Sequence, residues 1–200
     1  MIFIAHRRNA LQELIATPNE YGVEVDIRSN GDQLIIHHDP LVPGGDFIEW
    51  IAAYKHKTLI LNVKEEGLEA RLISVMQEHG IEDFFFLDQS FPFLVKWAKV
   101  GERRCAVRVS EFESIETALS LAGKVDWVWV DCFTRFPLLG NEAKRLQDAG
   151  FRLCIVSPEL QGRSAEIEIS VYANIMKERG ISAQAICTKR PDLWKIALNK

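Results

Sequence analysis

Residues 22–40 read GVEVDIRSNGDQLIIHHDP, and this stretch decides the predicted fold. Its first half alternates strictly between apolar and polar residues, which is the pattern of a β-strand with one apolar and one polar side. The apolar side carries Val23, Val25 and Ile27, and the polar side carries Glu24, Asp26 and Arg28. The pair Asn30-Gly31 favours a tight turn, so residues 33–37 are predicted to fold back on this strand as a hairpin.

The whole chain alternates strand-like and helix-like segments. Strands are predicted at 2–5, 22–28, 58–64, 84–88, 104–109, 127–131, 152–156 and 183–188. Helices are predicted at 10–16, 47–54, 67–79, 92–100, 114–122, 139–149, 165–179 and 191–198. This alternation predicts an α/β fold, a compact (βα)8 TIM barrel with a β-hairpin after strand 2. An open doubly wound sheet is the rival fold, but no GxGxxG motif follows the first strand to favour a dinucleotide-binding version.

The composition fits one domain over residues 1–200. The 200 residues are 48% apolar and 26% charged, which is enough apolar mass for one core. The 24 basic and 28 acidic residues give a net charge of −4 without a basic stripe, which argues against nucleic-acid binding. No apolar run approaches the roughly 20 residues of a membrane span. The start MIFIAHRRNA is charged too early for a secretory signal, so a cytoplasmic location is predicted.

Two further groups of residues are predicted to lie in the core. The four cysteines form no CxxC pair and each lies in or beside an apolar run, so they are predicted to be reduced and buried thiols. The aromatic runs 84–86 and 127–129 are predicted to fill the core and the barrel. Neither group therefore predicts a metal or cofactor site.

Polar side chains gather at the predicted carboxyl ends of the strands, where barrel enzymes carry their active sites. These residues are His6, Glu24, Asp26, Asn62, Lys64, Asp88, Arg108, Asp131, Ser157, Glu159, Thr188 and Lys189. Two carboxylates inside a barrel are costly unless a cation neutralises them, and oxygen donors favour Mg²⁺ or Ca²⁺ over zinc. The structural alternative is that Glu24 and Asp26 pair with Arg28 or Lys64. Loop caps or surface pairs are an equal alternative for Asp88, Arg108 and Asp131.

Three segments carry a family resemblance. IAHRRN (4–9), GVEVDIRSNGDQLIIHHDP (22–40) and LILNVK (59–64) together resemble the glycerophosphodiester phosphodiesterase family, a group of phospholipase-C-like (βα)8 barrels. The family pattern is HRG after the first strand, ExD in the second, HD after a hairpin and LEIK in the third. This match covers about the first third of the chain, and the closing TKRPD (188–192) is similar to the family's TDRPD-like ending.

The resemblance implies a role for each matching position. His6 and His38 are implied as the general acid/base pair, Glu24, Asp26 and Asn62 as ligands of a divalent metal, and Arg7 and Lys64 as phosphate contacts. The implied reaction is hydrolysis of a small glycerophosphodiester-like phosphodiester with Mg²⁺ or Ca²⁺. The family pattern selects His38, directly before Asp39, although simple pairing from an Asn30-Gly31 turn places His37 opposite Glu24.

The sequence also departs from the family pattern. Arg8 stands where the family has glycine, Asn62 where it has a third metal carboxylate, and Lys189 where it has aspartate. Arg8 either crowds or contacts the phosphate, and Asp88 or Asp131 is a candidate to replace the lost charge. These departures support an alternative, a barrel with weakened or lost activity that binds a phosphate-containing ligand. A third hypothesis is an isomerase or aldolase in which Lys64 forms a Schiff base.

Overall fold

The protein is built on a mixed sheet of ten strands in a computed structural model that describes residues 1–199. The strands are β1 Ile2–Ala5, β2 Gly22–Asn30, β3 Gln33–Ile36, β4 Gly45–Asp46, β5 Leu59–Val63, β6 Phe84–Leu87, β7 Ala106–Val109, β8 Trp127–Val130, β9 Arg152–Val156 and β10 Ala185–Thr188. The helices are α1 Leu11–Ala16, α2 Phe47–Ala52, α3 Glu69–Glu78, α4 Phe91–Lys99, α5 Ile115–Leu119, α6 Gly140–Asp148, α7 Ala165–Glu178 and α8 Pro191–Leu198, with a 3₁₀ helix at Pro158–Gln161. Every predicted element is present within a few residues, and the short strand β4 is additional. No helix in this part of the chain is long and apolar enough to span a membrane.

The parallel strands follow the order of a barrel without forming a closed one. Parallel ladders join β1 to β2, β2 to β5 and β5 to β6, and join β1 through β10, β9 and β8 to β7. Within residues 1–199, β6 and β7 meet only at one isolated bridge between Phe86 and Cys105. Asp88, directly after β6, adopts a left-handed conformation with a φ of 60°. The predicted α/β fold is therefore confirmed, whereas the predicted closed barrel is replaced by a curled sheet with a gap between β6 and β7.

Apolar side chains form one cluster on each face of the curled sheet. Val23, Val25 and Ile27 belong to the larger cluster, which lies between the strands and the helices and confirms the alternation predicted for β2. The smaller cluster lies inside the curl, where the rings of Phe85 and Trp127 stack with their centroids 4.6 Å apart. The polar side of β2 consequently faces the inside of the curl, at its carboxyl end.

Both core predictions are confirmed. All four cysteines are free and buried. The two aromatic runs are buried and divide between the faces of the sheet, with Phe84 and Phe86 outside and Phe85, Trp127 and Trp129 inside.

The predicted hairpin is present, but its register differs from the simple prediction. Asn30 pairs with Gln33, so the turn residues are Gly31 and Asp32 rather than Asn30 and Gly31. The ladder ends where Ile27 pairs with Ile36. His37 therefore lies beyond the ladder, and the predicted placement of His37 opposite Glu24 is wrong because the turn is shifted by one residue.

One carboxylate organises the loop that follows β8. Glu111 accepts hydrogen bonds from the backbone N–H groups of Phe133, Thr134 and Arg135 at 3.2, 2.7 and 2.6 Å. Partial burial acts to raise the pKa of Glu111, but the N–H groups of Thr134 and Arg135 outweigh it and lower this pKa to about 2. The ionised carboxylate thus fixes Phe133, a residue that lines the site described below.

We expect Glu111→Gln to lower the free energy of unfolding at pH 7 by about 1–2 kcal/mol, because charge-assisted hydrogen bonds are stronger than neutral ones. The folded-state pKa of about 2 lies below the ordinary 4.5, so the stability that the charge contributes is present above pH 4.5 and is lost as the pH falls toward 2. Urea unfolding at pH 7 and pH 3 measures this difference, with Glu178→Gln, an exposed carboxylate in α7, as the control. If Glu111→Gln lowered the free energy of unfolding equally at pH 7 and at pH 3, the stabilising role of the ionised carboxylate would be contradicted.

Candidate functional site

A cavity of about 340 Å³ lies at the carboxyl ends of the parallel strands. The residues that line it include His6, Arg7, Glu24, His38, Asn62, Lys64, Asp88, Arg108 and Asp131. They come from the ends of β1, β2, β5, β6, β7 and β8 and from the chain after the hairpin. The fold thus brings most of the predicted site residues to one place, at the end of the sheet where α/β barrels carry their chemistry.

Glu24 is fully buried and held by two donors. Its Oε1 accepts a hydrogen bond from Asn62 Nδ2 at 2.7 Å, and its Oε2 accepts one from the backbone N–H of Arg7 at 2.6 Å. Arg7 adopts a left-handed conformation with a φ of 49°, which an arginine rarely adopts. Burial and the negative charge of Asp26 raise the pKa of Glu24 well above its ordinary value.

Asp26 is also fully buried, and cationic side chains surround it. Lys64 Nζ lies 3.4 Å from its Oδ1, and Arg7 Nε lies 3.5 Å from its Oδ2. Asn9 donates from Nδ2 to Asp26 Oδ2 at 2.9 Å and accepts the backbone N–H of Asp26 at 3.0 Å. The structural alternative is therefore realised for Asp26 and Lys64.

A chain of ion pairs continues from Asp26 across the cavity. Lys64 donates to Asp88 at 2.8 Å, and Asp88 also pairs with Arg108. Arg108 Nη1 lies 3.5 Å from Asp131, which accepts a hydrogen bond from Gln161 at 2.7 Å. Burial acts to raise the pKa of Asp88, but the charges of Lys64 and Arg108 lower it below its ordinary value. Burial raises the pKa of Asp131, because Arg108 compensates it only in part.

The two candidate histidines differ in environment. The His6 side chain is 12% exposed, and its Nε2 lies 3.9 Å from Glu24 Oε2. Burial, followed by the charge of Arg7, lowers the pKa of His6 to about 3, so its ring is neutral at pH 7. His38 is 42% exposed, and its Nδ1 contacts Asp39 Oδ1 at 2.8 Å. That contact orients the His38 ring and leaves Nε2 as the nitrogen available for proton transfer.

His37 lies outside this cavity. Its Nδ1 accepts the backbone N–H of Asp39 at 3.0 Å, and the ring lines a separate groove with Asn9, Pro43 and Trp50. The structure thus places His38, and not His37, beside the other candidate residues.

Arg28 connects the two segments that carry His38 and Lys64. Its Nε and Nη2 donate to the carbonyl oxygen of His38 at 3.1 and 2.9 Å, and its Nη1 donates to the carbonyl oxygen of Lys64 at 3.0 Å. Arg28 therefore forms these contacts in place of the predicted pairing with Glu24 or Asp26. Its planar guanidinium group suits such a bridge, since it offers several donors in a fixed geometry.

The residues implied as metal ligands supply only oxygen donors. In residues 1–199 no group of three His, Cys, Asp or Glu side chains is arranged to hold a metal ion. Glu24, Asp26 and Asn62 offer two carboxylates and one amide, and Asp26 Oδ1 and Asn62 Oδ1 are buried atoms that accept no hydrogen bond. These donors fit a hard divalent cation such as Mg²⁺ or Ca²⁺, with one negative charge fewer than three carboxylates provide.

Some residues have other roles than the sequence predicts, and others were missed. The backbone of Arg8 donates to Glu24 O at 2.9 Å and accepts from Trp50 Nε1 at 2.8 Å, while its side chain is not part of the cavity lining. Asn9, Arg28 and Gln161 were not predicted as site residues. The alternation in β2 places Arg28 on the side of Glu24 and Asp26, and this signal could have identified it.

No protein-family model matches the chain, and no curated protein matches it. Among solved structures, the chain is similar to a glycerophosphodiester phosphodiesterase from Agrobacterium tumefaciens, with a TM-score of 0.64 and 12% identity over 100% of this chain and 99% of that chain. It is also similar to a mutant tryptophan synthase α-subunit from Pyrococcus furiosus, with a TM-score of 0.55 and 7% identity over 99% of this chain and 94% of that chain. At these identities the comparisons show a shared fold alone. The first of them has the fold of the family that the sequence motifs resemble.

Proposed function

We propose that the protein hydrolyses a small glycerophosphodiester-like phosphodiester with the help of a divalent cation, Mg²⁺ or Ca²⁺. The observation that carries this proposal is the assembly of two histidines, three carboxylates, two amides and three cationic side chains around one cavity. Asp26 does not line the cavity but is buried within 3.5 Å of Arg7 and Lys64. These groups come from segments far apart in the sequence, and the motifs that resemble glycerophosphodiester phosphodiesterases supply most of them. The similar fold of the Agrobacterium tumefaciens enzyme supports the same proposal.

The two histidines divide the proton transfers. His6 is neutral and its Nε2 lies 3.9 Å from Glu24, so we assign to it the acceptance of a proton from the attacking substrate hydroxyl or water. His38 is more exposed and is oriented by Asp39, so its Nε2 donates a proton to the oxygen of the leaving alcohol. General acid and base catalysis of this kind requires one neutral imidazole that accepts a proton and one protonated imidazole that donates one.

The cationic side chains bind the phosphate. Arg7 lies at the cavity mouth with 42% of its side chain exposed, and Lys64 and Arg108 lie deeper. They orient the phosphoryl oxygens and stabilise the negative charge that develops on them. Glu24, Asp26 and Asn62 would hold the divalent cation, which adds electrophilic stabilisation of that charge when bound.

A binding protein without turnover is the second candidate. The replacement of a third carboxylate by Asn62 and the pairing of Asp26 with Lys64 favour it. The Schiff-base hypothesis has less support, because the Lys64 ammonium contacts the carboxylates of both Asp26 and Asp88, and a Schiff base requires a free amine.

We expect His38→Ala to lower kcat on a small phosphodiester about 10²–10⁴-fold, as loss of a general acid does. His37→Ala is the matched control, since the neighbouring imidazole lies outside the cavity, and its kcat should stay within about twofold of wild type. Release of methanol from glycerol 3-(methyl phosphate), whose alkoxide leaving group needs a proton, measures both variants. Equal activity of His38→Ala and wild type would refute the role of His38, and folded wild type without turnover would favour the binding protein.

We expect Asn62→Asp to raise the affinity for Mg²⁺ or Ca²⁺ about tenfold, because it adds a carboxylate beside Glu24 and Asp26. Titration calorimetry measures this affinity directly, without recourse to activity. Asn9→Asp is the control, because Asn9 contacts Asp26 from outside the implied ligand set. The cation site would be wrong if Asn62→Asp left the affinity unchanged or if Asn9→Asp raised it more.

We expect Arg28→Lys to lower kcat about tenfold with little change in KM, since lysine cannot bridge the two carbonyl groups that position His38 and Lys64. The same substitution in the His38→Ala background should have a much smaller effect if Arg28 acts through His38. Steady-state kinetics of the four proteins and their thermal unfolding separate positioning from general destabilisation. Equal effects in both backgrounds would contradict positioning of His38.

A further inference from the structure

A second cavity of about 560 Å³ occupies the gap between β6 and β7. Among the described residues, the backbone ladder between the two strands is limited to the Phe86–Cys105 bridge, and the Asp88–Arg108 ion pair joins their carboxyl ends. The cavity lies in this opening, with helix α4 on one side and helix α5 on the other. Half of its lining is apolar, namely Leu87, Phe91, Leu94, Ala106, Val107 and Phe112. The other half is polar, namely Asp88, Gln89, Arg108, Glu113, Ser114 and Thr117.

This gap cavity adjoins the candidate active site. Leu87, Asp88 and Arg108 line both cavities. Phe112 lines the gap cavity, Phe133 lines the active site, and their ring centroids lie 6.0 Å apart. The Arg108 guanidinium lies 5.9 Å from the Phe133 ring centroid, so a cation that faces the phosphate site also stands beside this aromatic pair.

Two aromatic side chains at the gap are exposed, Phe112 on an anchored loop and Phe91 at the start of α4. Phe112 is 78% exposed and Phe91 is 49% exposed. The loop of Phe112 is fixed by its own N–H, which donates to Ser110 Oγ at 3.1 Å, and by Ser110 Oγ, which donates to Glu113 at 2.7 Å. Exposed aromatic rings on anchored loops at a cavity mouth are typical of a binding surface.

We propose that the gap cavity receives an apolar group, such as an aryl ring or a short alkyl chain, on one alcohol of the phosphodiester substrate. This inference rests on the proposed function and deepens it. The phosphate lies among Arg7, Lys64 and Arg108, and the apolar alcohol extends past Arg108 along the Phe133–Phe112 pair into the gap. The open junction between β6 and β7 is thereby a specificity element, since a full ladder would close this path.

The first experiment measures binding and does not depend on turnover. Titration calorimetry compares methyl phosphate with hexyl phosphate on the wild-type protein. We expect hexyl phosphate to bind about tenfold more tightly, because part of its alkyl chain is transferred from water into the gap cavity. Phe112→Ala should reduce this preference to about twofold, whereas Val100→Ala, an exposed apolar residue at the end of α4, should retain it. Equal affinities for both phosphates, or an unchanged preference in Phe112→Ala, would overturn the proposal.

The second experiment separates this inference from the proposed function. Methyl and hexyl 4-nitrophenyl phosphates are compared as substrates; water adds to phosphorus, the P–O bond to 4-nitrophenolate breaks, and the alkyl phosphate is released. If kcat/KM is higher for the hexyl ester and Phe112→Ala abolishes this preference, both proposals are supported. Turnover with equal kcat/KM for both esters supports the phosphodiesterase and overturns the apolar subsite. A hexyl preference in binding without turnover of either ester overturns the enzyme and retains the subsite of a phosphate-binding protein.

Discussion

The burial of two carboxylates, Glu24 and Asp26, is the constraint on which the site depends. Both side chains are fully buried at the inner face of the sheet, where an ionised carboxylate without partners is strongly destabilising. Neighbouring segments therefore supply hydrogen-bond donors, namely the backbone N–H of Arg7 and the side-chain amides of Asn9 and Asn62. This requirement explains the left-handed conformation of Arg7, because the backbone N–H of Arg7 donates to Glu24.

The same electrostatic network joins the strands where the sheet does not. Asp88 follows β6 and Arg108 belongs to β7, so their ion pair spans the gap that has no ladder. Lys64, at the end of β5, and Asp131, after β8, extend this chain of alternating charges on either side. The ion pairs thus connect the carboxyl ends of four strands, including the two strands that have no backbone ladder between them.

The sequence predicts the strands, the hairpin and the inward direction of Glu24 and Asp26, because period-two alternation depends only on local side-chain polarity. It does not predict the open junction between β6 and β7, because the pairing of two strands depends on contacts between distant segments and not on local polarity. The hairpin register was missed because Asn30-Gly31 and Gly31-Asp32 are both acceptable turns. The bridge made by Arg28 was missed because it ends on two backbone carbonyl groups. Every residue has such a group, so the sequence does not indicate which one accepts the hydrogen bond.

The charge balance of the site links protonation to ligand binding. The ionisable groups of the network are Glu24, Asp26, Asp88 and Asp131 against Arg7, Lys64 and Arg108. With all four carboxylates ionised, the acids exceed the cations, and a phosphodiester anion would add to this excess. Burial and the charge of Asp26 raise the pKa of Glu24, so a proton on this carboxyl group removes the excess more readily than a proton on an exposed carboxyl group would. A divalent cation bound at Glu24, as proposed above, would remove the same excess and would compete with that proton for the carboxylate oxygens.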